Sequence, residues 1–190
     1  MAASKEKQKG PNEALQVWQF KGRFAGYMRD LLGDAEPFQK IFDQIYHGYV
    51  FCCLVGLIKG RRHEYDPKVD NPDNEEPLGF RWTSADGSGL YGYDMLRKMV
   101  ILFDEKTRPD FSTRVDYALR FDFPTNDVTN EELRNKSRYG ENGALVDEYV
   151  LGGLEYIHEK IMDSSSPKDV IHFMMRMEEE LLEVLNPKTD

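Results

Sequence analysis

Apolar residues recur along most of this chain at spacings of three and four, the period of helices that bury one side. Val17, Phe20, Phe24, Tyr27, Met28 and Leu31 follow one another at three, four, three, one and three. This spacing predicts a helix over residues 13–32, started by Pro11 and Asn12. Gly22 and Gly26 lie within it, each costing about 1 kcal/mol against alanine in a helix interior and each leaving room for a neighbouring helix. The densest apolar block follows, in EPFQKIFDQIYHGYVFCCLVGLIKGRR, residues 36–62. Pro37 suits the first turn of a helix running over about 36–60. Phe38, Ile41, Phe42, Ile45, Tyr49, Cys52, Cys53 and Gly56 form one stripe, and Val50, Phe51, Leu54, Val55, Leu57 and Ile58 fill the other sides. A helix apolar all round belongs in the middle of a bundle, so this segment is predicted to be the central helix.

Residues 64–77 are acidic and broken by Pro67, Pro72 and Pro77, the pattern of a solvated loop. LGFRW after it predicts a short strand or hairpin arm near 78–84. A helix from Ser88 to about Lys106 would turn Leu90, Tyr91, Met95, Met99, Leu102 and Phe103 inward. Pro109 stops it, and Asp110 or Ser112 caps a further helix over about 111–121, with Phe111, Val115, Ala118 and Leu119 inward. Residues 123–143 read as a long polar connection with one helical turn at 130–135. Leu145, Tyr149, Gly152, Gly153, Tyr156 and Lys160 then line up on a helix over 144–162. Ser166, Pro167 and Asp169 are an N-cap, a first-turn proline and an N3 acid, and Val170, Met174, Met177, Leu181, Val184 and Leu185 recur behind them on the last helix. The pattern predicts an all-α, single-domain bundle of about six helices over residues 11–190, preceded by a flexible lysine-rich tail at 1–10.

At 190 residues, with 40% hydrophobic and 31% charged positions, the chain can bury one ordinary core. A formal net charge of −9 argues against coating a duplex, since that affinity comes from clustered Lys and Arg meeting phosphates. Cys52 and Cys53 are adjacent and are the only cysteines, so they make neither a CxxC motif nor a disulfide framework and read as small buried hydrophobes. MAASKEKQKG carries no apolar signal segment, and the apolar run from Ile45 to Ile58 is shorter than the roughly 20 residues a membrane span needs. A cytoplasmic location is expected.

Candidate chemistry is sparse. Lys59, Arg61, Arg62 and His63 close the central helix. Such cations complement the negative end of a helix dipole, and two adjacent arginines also offer paired donors to a phosphate or to a partner's carboxylates. Phe80, Arg81 and Trp82 resemble a base-stacking platform, although acidic residues flank them. His47, His63, His158 and His172 show no HExxH or other metal-ligand spacing, and His47 reads as a hydrogen-bonded core histidine. Pro72-Asp73 and Pro109-Asp110 echo the opening of a PD-(D/E)xK nuclease motif without the ExK element that its metal chemistry requires. No GxSxG, Walker A or GxGxxG sequence is present. No catalytic residue, cofactor or metal is expected.

The end of the central helix, GLIKGRR, resembles small accessory proteins of prokaryotic anti-phage and DNA-modification islands, such as those associated with phosphorothioate (Dnd) systems. LVDEYVLGGLEYIHEKI, Leu145 to Ile161, is similar to a glycine-pair helix of small subunits encoded beside large SMC-like ATPases, the Lamassu type among them. The resemblance covers roughly 35 residues and implies a non-enzymatic subunit that docks on a larger ATPase or nuclease. It carries over no catalytic residue. Lys59, Arg61, Arg62, His63, Arg81 and Trp82 are the candidates for binding a partner or phosphate. The alternative is a small nucleic-acid-binding module built on Lys59, Arg61, Arg62, Arg81 and Trp82.

Overall fold

The chain enters on a strand. In the computed structural model, which describes residues 17–33, 40–81, 89–119, 130–164 and 166–185, β1 (Val17–Phe20) pairs antiparallel with β2 (Leu78–Arg81), Trp18 opposite Phe80 and Phe20 opposite Leu78. The expected β arm is therefore present, but its partner strand lies inside the predicted 13–32 helix. Gly22 explains the break. Its φ of 52° lies in the left-handed region, and a Cβ there would sit 1.9 Å from the Asp70 carbonyl oxygen, so only glycine suits both the turn and the approach. Helix α1 (Arg23–Leu31) starts immediately after and buries Phe24, Ala25, Met28 and Leu31. Phe20 and Phe24 both reach the core, one from the strand and one from the helix, which is how a strand, a turn and a helix reproduce a helical spacing.

Helix α2 (Ile45–Lys59) is the central helix, shorter than predicted. The start expected at Glu36 and Pro37 lies outside the described residues, and residues 40–44 are not helical. Gly48, Tyr49, Cys52, Cys53, Val55 and Gly56 are buried, while Val50, Phe51, Leu54, Leu57 and Ile58 are half-buried. Burial pushes both thiols well above the ordinary cysteine range, as expected of inert core cysteines. His47 is exposed, against the reading of it as a core histidine. Gly60, with φ 61°, ends the helix in the left-handed conformation.

The acidic stretch after α2 is mostly exposed but not simply a loop. It contains the short helix α3 (Pro67–Asp70), capped by the Asp66 carboxylate accepting from the Lys68 N–H, and its last residue, Asp70, is 1% exposed. Helix α4 (Gly89–Phe103) follows, turning inward a face different from the predicted one; of the predicted residues Met99 and Leu102 are half-buried, and the Leu90 and Tyr91 side chains lie outside the described residues. Tyr93, Leu96, Arg97, Val100 and Ile101 are buried, whereas Met95 and Phe103 are exposed. Its buried face includes a charge: Arg97 donates to Asp94, which also pairs with Lys98. An apolar-periodicity argument passes over such a face. On α5 (Phe111–Leu119) Arg114 and Ala118 are buried and Phe111 and Leu119 exposed, so two of its four predicted core residues face out.

Residues 130–143 are not a polar connection. They form the first part of α6 (Asn130–Met162), 33 residues long, in which the predicted 144–162 helix is the later part. No proline follows Pro124 before Pro167, so nothing in the sequence stops the helix from extending upstream. The last helix, α7 (Pro167–Leu185), begins where predicted: the Asp169 N–H donates to the Ser166 hydroxyl, which in turn donates to the Asp169 carboxylate. Seven helices and one two-stranded sheet are thus seen among the described residues, a helical bundle with a short β arm. None of these helices is long and apolar enough to cross a membrane.

Candidate functional site

Helices α2 and α6 cross with their backbones in contact. A Cβ on Gly56 would lie 2.0 Å from the Tyr149 carbonyl oxygen, and one on Gly153 would lie 1.8 Å from that of Cys52. This close crossing brings the basic end of α2 against α6 and α7. Lys59 pairs with Glu180 of α7, and the Arg62 guanidinium donates to the Glu148 carboxylate, with Nε at 2.8 Å, and to the Thr107 hydroxyl. The Arg62 cation also stands 5.5 Å from the centre of the Tyr149 ring. His63 lies 2.9 Å from Asp70 and 3.6 Å from Glu155, with its backbone N–H on the Glu148 carbonyl. Only Arg61 turns outward, exposed over the Tyr156 ring at 5.6 Å. The cation group is therefore brought together by sequence but divided by structure: three members are engaged within the fold and one is presented to solvent. The Arg81 side chain and Trp82 lie outside the described residues.

This division sets an expectation for the two adjacent arginines. Arg61→Ala should leave the urea midpoint close to wild type. Arg62→Ala, which strips Glu148 of a half-buried partner, should lower stability by about 1 to 2 kcal/mol. Chemical denaturation followed by circular dichroism separates them, and equal effects from the two variants would contradict the assigned pairings.

A polar network joins α1, α3 and α6. The buried Asp70 carboxylate accepts from Arg23 Nε at 2.9 Å, from the Asp66 backbone N–H at 2.8 Å, and meets His63 Nε2. Arg23 also pairs with Glu155 at 2.9 Å. Burial alone would raise the Asp70 carboxyl. The hydrogen bonds from His63 and Asp66 and the charges of His63 and Arg23 outweigh it, so the group lies below the ordinary carboxylate range. A second pair, His158 with Asp30 at 3.0 Å, extends the same α1–α6 seam, and Tyr27 stacks on the His158 ring. Nothing nucleophilic faces either histidine in these contacts, so both act as ties between elements. No group of three or more His, Cys, Asp or Glu side chains among the described residues could hold a metal ion.

A concavity lies between the β arm and α6. Its volume is about 600 Å3, within the range of small-ligand sites. Trp18, Tyr49, Phe80 and Tyr93 supply aromatic walls, with Trp18 and Tyr93 ring centres 4.8 Å apart and Tyr49 and Phe80 5.3 Å apart. Gly140, Gly143 and Ala144 of α6 keep the opposite wall low. Asp147, exposed, contributes a carboxylate that accepts from the Tyr49 hydroxyl at 2.7 Å. Burial and this neighbouring carboxylate hold the Tyr49 phenol well above its ordinary range, so it stays a neutral donor. Of these residues, the sequence singles out only Phe80 for possible ligand contact. Trp18 falls within the predicted 13–32 helix, and Asp147 is one acid among many; a four-residue β pattern at Val17–Phe20 is the signal that would place Trp18 opposite Phe80.

A further surface is the outer side of α7. Phe173 and Met177 face the core, with Tyr156 of α6 6.1 Å from Phe173, ring centre to ring centre. Ile171, Met175 and Leu182, at spacings of four and seven, are 51%, 54% and 51% exposed. Those spacings place the three on one line of the helix. No family model, curated protein or solved structure matches this chain.

Proposed function

We propose that this chain is a non-enzymatic interaction subunit that docks through α7 on a larger protein of the ATPase or nuclease type in a prokaryotic anti-phage complex. One observation carries the reading: α7 has already spent its Phe173 and Met177 side on the core, yet keeps a second apolar line, Ile171, Met175 and Leu182, in solvent. Large exposed apolar side chains aligned on one helix are what a groove-binding helix offers a partner. Glu178 stands within the line and Glu179 beside it, so a partner groove that presents a basic group there fits best. The resemblance of GLIKGRR and of Leu145 to Ile161 to small defence-island subunits supplies the class of partner. The nucleic-acid alternative has less to stand on, because Lys59 and Arg62 are taken up by Glu180 and Glu148.

The test is affinity capture from the native host with wild-type protein and with Ile171→Glu/Met175→Glu. Wild type is expected to retain a large ATPase or nuclease subunit, and the double variant to keep its helical circular dichroism while losing that partner by a factor of about 1,000, as for loss of two anchors of about 2 kcal/mol each. Equal retention by both proteins, or no large partner on either, would refute the reading.

A further inference from the structure

We propose that the cavity between the β arm and α6 binds an alkylated ammonium group, with the aromatic rings of the arm and its neighbours holding the methyl groups and Asp147 supplying the counter-charge. Four aromatic side chains, Trp18, Tyr49, Phe80 and Tyr93, converge there from β1, α2, β2 and α4. Their rings are tilted against one another, 55° for both the Trp18–Tyr93 and the Tyr49–Phe80 pairs, so faces and edges are turned in several directions rather than closed into a flat stack. An aromatic face carries negative potential, and a cation whose charge is spread over methyl groups gives up little hydration to meet it. A compact, strongly hydrated ammonium or metal ion would gain less.

The charge on the cavity wall agrees. Asp147 has one oxygen on the Tyr49 hydroxyl and the other with no partner among the described residues, and no cation forms an ion pair with it there. The Tyr49 bond fixes the carboxylate at the wall and works against the burial that raises its pKa. An anion or an uncharged apolar ligand would leave that carboxylate opposed or unused. Lys21 also lines the rim, exposed, and its flexible stem lets its ammonium stay in water.

Room for the ligand comes from α6. Gly140 and Gly143 line the wall at a place where glycine lowers helix propensity, and a Cβ on Gly140 would meet nothing within 4 Å. An alkylated ammonium reaches such a cavity from two sources, as a free small molecule such as choline or as a trimethylated lysine on a protein. The site is independent of the α7 surface, so either reading can fail without the other.

Calorimetric titration of the full chain distinguishes the outcomes. The probes are choline, a trimethyl-lysine peptide with its unmodified counterpart, and 3,3-dimethylbutanol, the uncharged isostere of choline. At least one alkylated ammonium is expected to bind, with the neutral isostere or the unmodified peptide about tenfold weaker or worse. Asp147→Asn, which can keep the Tyr49 hydrogen bond, should weaken binding by about tenfold. Gly140→Leu should abolish binding by filling the cavity while the helical circular dichroism is retained. Tighter binding of choline assigns the small-molecule source, and tighter binding of the peptide assigns the methylated-protein source. The proposal is overturned if neither cation produces heat, if the neutral isostere binds as well as choline, or if both folded variants bind like wild type.

Discussion

Gly153→Ala is expected to lower the stability of this protein by about 3 kcal/mol or more, at or above the upper end of ordinary overpacking costs. The reason is what the new methyl group would meet. Its carbon would stand 1.8 Å from the Cys52 carbonyl oxygen and 2.7 Å from the Gly56 nitrogen. Both obstacles are backbone atoms of a helix, so no side chain can swing aside and α2 must move away from α6. That motion would loosen Cys52, Tyr49 and Val55, all buried, together with Leu154 and Ile157 on the other side. Gly140→Ala on the same helix is the control, since open space surrounds its Cβ and the better helix propensity should stabilise by up to about 1 kcal/mol. Urea denaturation followed by far-ultraviolet circular dichroism reads both. A Gly153→Ala midpoint equal to wild type would mean that the two backbones are not in contact.

Asp70→Asn should cost about 3 kcal/mol at neutral pH, the scale of breaking a buried ion pair by removing one partner. Asn keeps the size but not the charge, so Arg23 and His63 lose the group that faces them and the Asp66 N–H keeps at best a weaker acceptor. The pH dependence gives the second signature. Because the folded-state pKa of Asp70 lies below its unfolded value, its contribution is fully present above the unfolded pKa, about 3.9, and disappears as pH falls through the lower folded value. Wild type should therefore lose this part of its stability in the acid range, and the gap between wild type and Asp70→Asn should close as pH falls from about 4 toward 2. A gap independent of pH over that range would show that the carboxylate charge is not what ties α1 to α3.

These two expectations rest on residues that the sequence treats very differently. Gly153 sits in a helical stripe readable from LVDEYVLGGLEYIHEKI, and the idea of a packing glycine there needed no coordinates. Asp70 belongs to a run of acids and prolines in which each member reads as solvated, and its burial follows from Gly22 letting the α3 backbone come close. The candidate site divides in the same way. Lys59, Arg61, Arg62 and His63 are visible as a group, but which of them are consumed by Glu180, Glu148 and Asp70 depends on partners between 7 and 121 positions away. Trp18 and Asp147 have no local signature of a shared cavity, being joined only through strand pairing and helix packing.

Local pattern by itself determined that this chain is a helical bundle, that its most apolar helix lies within residues 36–60, that a short β arm lies near 78–84, and that α7 begins at the Ser166-Pro167-Asp169 cap. Each depends on contacts within one turn or one face, and those are written in consecutive residues. Tertiary structure alone decided that Val17–Phe20 is a strand, that α4 turns Arg97 rather than Met95 inward, that α6 extends back to Asn130, and which cations stay free. A strand needs its partner 60 residues away, and a buried charge needs counter-groups from other elements, so neither is fixed until the chain has closed on itself.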